Sequence, residues 1–320
     1  MKAFTRRALG ALPRPSLPPF PALPLPPLPR PPSGALVRAS VLELLVLAGH
    51  TLLYPMGLTQ ERRTAPGLTA PPRHPGPAGA EEPGPSRASG SPNATDTRAP
   101  RLPAPAGGRG RPPVLLLHGF IDNRSVFVLL RRSLRRHGHH QVEALNYSPL
   151  TCDIRSAAAA LAERVEEICG RTGHARIDVV GHSLGGLIAR YYVQRLGGHA
   201  RVRTLVTLGT PHSGTTAAPW LSAHPVVRQM RPDSPVIEEL SAPAPECGTR
   251  FVCFWSDLDQ VVLPPATARI EHPDLAVVNI RVSGIGHLAL PVHGAVAAEI
   301  LRMLDAREAN ADAGEAGSVA

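Results

Sequence analysis

Aromatic residues are scarce in this chain, at 4% of its 320 positions. Proteins that grip single-stranded nucleic acid stack bases on aromatic side chains inside a basic groove, and this chain cannot build such a surface. Lysine is scarcer still: Lys2 is the only one, so the formal charge of +9 comes almost wholly from arginine. The densest arginine run, Arg131-Arg132 and Arg135-Arg136, lies opposite Val126, Leu130 and Leu134 at helical spacing. That pattern marks a solvated helix face rather than a nucleic-acid site. An unbroken apolar span is missing too. Residues 35–54, ALVRASVLELLVLAGHTLLY, have the length to cross a bilayer but are interrupted by Arg38, Glu43 and His50. The adjoining GHTLLYP lacks a small-x-small cleavage site, which argues against a removed signal peptide.

Glu43 and His50 are seven apart and share one helix face with Ser40, so the polar groups form a stripe. A charge at the bilayer centre costs roughly 2.5–3.5 kcal/mol on insertion scales, which the surrounding leucines and valines can offset. Arg38, near the end, can snorkel. An amphipathic helix lying on a membrane, or docked on the rest of the protein, also fits. Membrane association through residues 35–54 is the expectation, with a packed soluble helix as the alternative. If the segment spans, Lys2, Arg6, Arg7, Arg14 and Arg30 before it hold the N-terminus in the cytoplasm and export the remainder of the chain, anchored or secreted. Export would place Cys152, Cys169, Cys247 and Cys253 in an oxidising compartment. Cys152 and Cys169 sit at opposite ends of one predicted helix, too far apart to join unless that helix starts late or bends, so a Cys247–Cys253 disulfide is the expected bridge.

The 37 prolines and 29 glycines are spread unevenly and divide the chain. Residues 1–32 are a proline-rich, disordered head, 33–58 the apolar helix, and 59–111 a Pro/Gly/Ala-rich linker without apolar periodicity. Residues 112–306 form the folded domain, and 307–320 a disordered tail. Within the domain, apolar runs at Val114–Leu117, Val142–Tyr147, Ile177–Val180, Val202–Leu208, Phe251–Trp255 and Val277–Val282 read as strands. Helical patterns lie between them at Ser125–Arg136, Asp153–Cys169 and Leu184–Leu196, and one closes the domain near Val292–Leu304. Such alternation predicts a doubly wound α/β domain with a mostly parallel sheet of about six strands.

Residues 177–194, IDVVGHSLGGLIARYYVQ, run a buried strand straight into a helix with Ser183 at the bend. A glycine turn with an N-cap serine would explain the glycines but not their spacing. Gly181 and Gly185, two before and two after the serine, suit a strand-turn-helix elbow that presents one hydroxyl clear of the sheet. A serine needs a base, and the base needs a carboxylate to hold it. Later in the chain come Asp257 or Asp259, beyond the Phe251–Trp255 strand, and then His287, beyond the Val277–Val282 strand. His272 is squeezed against Pro273 and His293 begins the last helix, which leaves His287 as the candidate base. The N–H groups of Leu184 and of Phe120, in the loop after the first strand, are the candidate oxyanion donors. His118 could shape that loop, although a purely structural histidine fits as well.

HGFIDN, GHSLGG, GTPHSGT, WSDLDQVVLP and GIGHLALP, in this order and spacing, resemble the α/β-hydrolase superfamily, and within it the small secreted bacterial lipases and esterases of the triacylglycerol lipase type. The resemblance covers residues 112–306 and implies a cofactor-free, metal-free hydrolase of carboxylic esters, with Ser183 as nucleophile, His287 as base and Asp259 as acid, ahead of Asp257. A lipid or other ester is the implied substrate. An acyltransferase or thioesterase would use the same triad, and an inactive binding protein could keep the fold. The stretch from Thr215 to Leu240, with Trp220, Val226, Val227 and Met230, is either an acyl-chain wall or short lid, or a connection packed on the core.

Overall fold

Strands built from Val, Leu and Ile without polar alternation must be buried on both faces, and the architecture follows from that requirement. The computed structural model describes residues 34–57, 110–120, 122–147, 153–217 and 224–316. The head at 1–32, the linker from 59 to 109, Cys152, Trp220 and residues 317–320 lie outside the described residues. Six strands, β1 (Val114–Leu117), β2 (Val142–Leu145), β3 (Ile177–His182), β4 (Val202–Leu208), β5 (Arg250–Ser256) and β6 (Ala276–Val282), form one sheet. Its order is β2-β1-β3-β4-β5-β6, and every pairing is parallel.

Successive residues along the central strands enter opposite apolar layers. Leu115, Leu117, Ile177 and Val179 pack with α3 (Ile154–Thr172) and α4 (Leu184–Arg195), while Val114, Leu116 and Val180 pack with α2 (Val128–Arg136) and α7 (Gly294–Ala316). The predicted helix at Ser125–Arg136 opens as a 3-10 turn, Arg124–Phe127, before α2 begins. Leu130 and Leu134 face inward from α2, as the arginine spacing requires. α3 starts where Asp153 caps the N–H groups of Arg155 and Ser156, and it stops where Gly173 takes a φ of 73°.

Connections leave β1 and β3 toward opposite edges of the sheet. In a parallel sheet this reversal opens a crevice at the carboxyl ends of the two strands, and ligands bind at such a crevice. The candidate active site lies there.

Several expectations need correction. Helix α7 continues to Ala316, so residues 307–316 are helical instead of part of a disordered tail; their alanines and glutamates favour helix. The 215–240 stretch carries two short helices, α5 (Pro225–Gln229) and α6 (Pro235–Ser241). Val226, Val227 and Met230 there are buried in the α3/α4 layer, in keeping with the core-packed one of the two readings left open for this stretch. Cys169, Cys247 and Cys253 are free buried thiols, so the Cys247–Cys253 bridge is absent. Cys253 lies within β5, fully buried in the sheet, while Cys247 belongs to the irregular connection that precedes the strand.

The apolar segment is a helix, α1 (Gly34–Gly57), and it docks on the folded domain. Ala39 is fully buried in the contact, and Leu42 and Val46 pack against the α2/α7 layer. Among the described residues, no helix is long and apolar enough to cross a membrane.

Candidate active site

The bend between β3 and α4 is made at a single residue. Ser183 has φ 52° and ψ −120°, and among the described residues it is the only non-glycine with positive φ. Such a conformation costs on the order of 1–3 kcal/mol and persists only where its surroundings enforce it. The flanking glycines supply the enforcement. A β-carbon placed on Gly181 would lie 2.5 Å from the Gly186 backbone, and one on Gly185 would lie 2.4 Å from the Leu117 carbonyl oxygen and 2.5 Å from that of His118. Hydrogen bonds then pin the serine's own peptide groups: its N–H donates to the Leu208 carbonyl at 2.9 Å, and its carbonyl accepts from the Thr210 hydroxyl at 3.0 Å.

The loop after β1 runs against this elbow. A β-carbon on Gly119 would sit 3.3 Å from the Ser183 β-carbon. The buried His118 donates from Nδ1 to the Gly119 carbonyl at 2.9 Å and accepts the Tyr147 N–H at Nε2 at 3.4 Å, which is the arrangement of one neutral tautomer. Burial lowers its pKa and favours that neutral form. Its ring stacks on Tyr147 with centroids 4.3 Å apart, and the Tyr147 hydroxyl donates to the His118 carbonyl. Because the Gly119 carbonyl points toward the His118 ring, the N–H at the other end of the same planar trans peptide, that of Phe120, points away from it. Leu184, the first residue of α4, presents its N–H at a helix N-terminus, where partial positive charge collects.

Beyond β5 a tight turn delivers Asp259. Its Oδ1 accepts from the N–H groups of Val261 and Val262, both at 2.8 Å, and its Oδ2 accepts from His287 Nδ1 at 2.7 Å. Both side chains are almost fully buried. Burial by itself would raise the carboxyl pKa, but the facing imidazolium charge and the hydrogen bonds outweigh it and hold Asp259 below its ordinary value. Burial would likewise lower His287, and the Asp259 charge outweighs it and raises the imidazole pKa. Gly209, with φ 55°, leaves room for the pair: a β-carbon there would lie 2.9 Å from His287 Nδ1 and 3.1 Å from Asp259 Oδ2. Asp257 turns elsewhere and pairs with Arg281 at 2.6 Å on the surface.

Three further residues escaped the sequence reading. His182 Nδ1 lies 3.0 Å from Asp122 Oδ2, its Nε2 lies 3.3 Å from the His287 carbonyl, and its ring centroid is 4.8 Å from that of His287. Both members of this buried pair sit inside motifs already singled out, GHSLGG and HGFIDN, so the signal was present but unassigned. The third is Glu43 of α1, whose carboxylate accepts the N–H groups of Leu288 and Ala289 at 2.8 and 2.9 Å. Among the described residues, no cluster of three or more His, Cys, Asp or Glu is placed to hold a metal ion.

Comparison with solved structures agrees with the topology. A Bacillus licheniformis lipase in its mature form superposes with a TM-score of 0.50 at 16% identity, covering 63% of this chain and 96% of that one. Aspergillus fumigatus lipase B gives 0.51 at 18% identity, covering 60% and 52%. The chain has the α/β-hydrolase fold. The palmitoyl protein thioesterase family model matches residues 113–245 of this chain. A triacylglycerol lipase of Pseudarthrobacter phenanthrenivorans is 29% identical over 119 residues, which is 35% of this chain and 36% of that lipase, so the match spans about a third of the relative's length. At the carboxyl edge of the parallel sheet, Ser183, Phe120 and Leu184 lie around the β1/β3 crevice, and the Asp259–His287 pair lies on the same edge. Asp257 stays outside.

Proposed function

We propose that the protein is a serine hydrolase that cleaves carboxylic esters of lipid acyl chains through an acyl-enzyme. One observation carries this reading: a serine forced to φ 52° at the sheet's switch point, on the same strand edge as a buried Asp259–His287 hydrogen bond of 2.7 Å. With Nδ1–H held by Asp259, the imidazole keeps Nε2 free as a base. Ser183 Oγ attacks the ester carbonyl as Nε2 takes its proton, and the N–H groups of Phe120 and Leu184 receive the oxyanion. Collapse breaks the bond to the alcohol, which leaves with the proton from His287. Water, deprotonated at the same Nε2, then releases the carboxylic acid and restores Ser183. His118 contributes by fixing the Phe120 peptide, so the donor is oriented before charge develops.

Helix α1 supports a lipid substrate. It turns Ser40 and Glu43 inward and leaves Leu44 66%, Leu45 65% and Leu52 81% exposed, an apolar face suited to lying on a lipid surface. The match of residues 113–245 to the palmitoyl protein thioesterase model favours a thioester as the second reading.

The test is labelling of the full chain with a fluorophosphonate, then a panel of p-nitrophenyl esters and acyl thioesters. Ser183 should be labelled and esters turned over, and Ser183→Ala should lose both while folding normally. Turnover near wild type in a folded Ser183→Ala protein would refute the serine mechanism, and exclusive use of thioesters would move the assignment to the second reading.

A further inference from the structure

Helix α1 lies some 245 residues from the His287 loop in sequence, yet it contacts that loop with unusual specificity. Glu43 Oε2 accepts the Leu288 N–H at 2.8 Å and Oε1 accepts the Ala289 N–H at 2.9 Å, so one carboxylate clamps the two peptide groups directly after His287. One turn earlier on the helix, Ser40 accepts from Gln260 Nε2 at 3.1 Å, beside Asp259. The loop has also made room for the carboxylate. A β-carbon on Gly286 would lie 2.6 Å from both Cγ and Cδ of Glu43. Withdrawing a carboxylate from water is costly unless hydrogen bonds replace the lost hydration, and here two backbone donors do so.

We propose that Glu43 is a positioning residue for His287: by clamping the Leu288 and Ala289 N–H groups, helix α1 sets where the imidazole stands relative to Ser183. The inference rests on the serine-hydrolase reading of the site. Asp259 fixes one ring nitrogen of His287, but the placement of Nε2 also depends on the backbone, and Glu43 holds that backbone where it leaves the histidine. A displacement of about 1 Å between reacting groups can cost on the order of a hundredfold in rate. Glu43 also adds negative charge near the imidazole. The charged or titratable groups facing His287 are Asp259 from the β5 turn, Glu43 from α1, Asp122 from the β1 loop, and His182 at the end of β3. Removing the Glu43 charge therefore weakens proton binding at His287.

The experiment compares full-length Glu43→Gln, Glu43→Ala, Gly286→Ala and the Glu43→Ala/Gly286→Ala double variant on a soluble short-chain p-nitrophenyl ester, with hydrogen exchange monitored by mass spectrometry. The Glu43 variants should lose about tenfold or more in kcat with KM little changed, as expected for lost hydrogen bonds to a charged group. Their acid limb of kcat/KM should move to lower pH, and peptides covering Leu288 and Ala289 should exchange faster. Gly286→Ala should be harmful alone and add little on top of Glu43→Ala, because the clash needs the carboxylate. Wild-type kcat, limb position and exchange in Glu43→Gln would overturn the proposal. A lowered melting temperature with exchange rising everywhere and the acid limb unmoved would also overturn it, since that describes a merely structural helix contact. Failure of the fluorophosphonate to label Ser183 in wild type would instead sink the hydrolase reading, and loop exchange would still decide whether Glu43 holds the backbone.

Discussion

Replacing Asp259 by asparagine isolates the role of one oxygen atom. Oδ1 accepts from two backbone N–H groups, of Val261 and Val262, and so demands an acceptor at that position. An asparagine must therefore keep its carbonyl oxygen there and turn its NH₂ toward His287, where wild-type Oδ2 accepts from Nδ1 at 2.7 Å. Two donors cannot face each other, so the imidazole moves its proton to Nε2 and loses the lone pair that takes the serine proton in the proposed mechanism. The alternative amide flip leaves two buried N–H groups facing a donor, at about 1–3 kcal/mol for each unsatisfied group. The wrong tautomer is thus the state the variant adopts. Loss of a triad carboxylate in this manner lowers kcat by about 10⁴, or about 5.5 kcal/mol at 1.36 kcal/mol per decade.

The assay is steady-state hydrolysis of a soluble ester across pH, with Asp257→Asn as the comparison. In wild type the acid limb of kcat/KM should lie above the ordinary imidazole value of 6.5, because the Asp259 charge outweighs burial at His287. In Asp259→Asn burial prevails, and the limb should move below that value. Asp257→Asn, which loses only a surface pair with Arg281, should stay within a few-fold of wild type. A kcat within tenfold of wild type for Asp259→Asn, or the larger loss in Asp257→Asn, would refute this reasoning.

Gly185→Ala should be strongly destabilising, by about 1–3 kcal/mol or more, because its methyl would lie 2.4 Å from the Leu117 carbonyl oxygen and backbone has little room to yield; an unchanged urea midpoint would contradict the close packing. In native protein Cys169, Cys247 and Cys253 should resist alkylation, since burial raises all three thiols and Cys253 to about 11. Mass spectrometry after blocking and denaturation should find each of them newly reactive, whereas a Cys247–Cys253 linked peptide would overturn the free-thiol arrangement.

The sheet was legible because its central strands β1, β3, β4 and β5 are largely buried on both faces and so appear as unbroken apolar runs. Boundaries shifted by a residue or two at strand ends, as at β2, which stops at Leu145 instead of Tyr147, and at β3, which runs on to His182 instead of Val180. The elbow was legible because glycine spacing around Ser183 is a steric requirement rather than a preference. Other parts were not. Burial of Val226, Val227 and Met230 depends on the neighbouring helical layer, and an apolar helix face looks the same in sequence whether it meets a substrate or a core. The choice between Asp257 and Asp259 could not be settled from the residues alone, since a two-residue shift at the end of a strand keeps the composition while redirecting the side chain. The Asp122–His182 pair needed the fold to bring together residues 60 apart.

Helix α1 shows why a hydrophobic pattern can be read correctly and still mislead. A surface helix of ordinary amphipathicity turns its polar stripe to water. The structure inverts that assignment at Ser40 and Glu43, which point at the domain, while Leu44, Leu45 and Leu52 face out. The inversion arises from the groups the domain offers at that place. The loop after His287 leaves two backbone N–H groups to be satisfied, and a leucine set against them would bury both donors without partners, at about 1–3 kcal/mol each. A glutamate satisfies both at once. Once Ser40 and Glu43 are committed inward beside Ala39, Leu42 and Val46, the apolar residues opposite them, Leu44, Leu45 and Leu52, have only solvent or a lipid surface left to face. The same helix therefore joins the proposed base of the reaction to the surface from which a lipid ester would arrive.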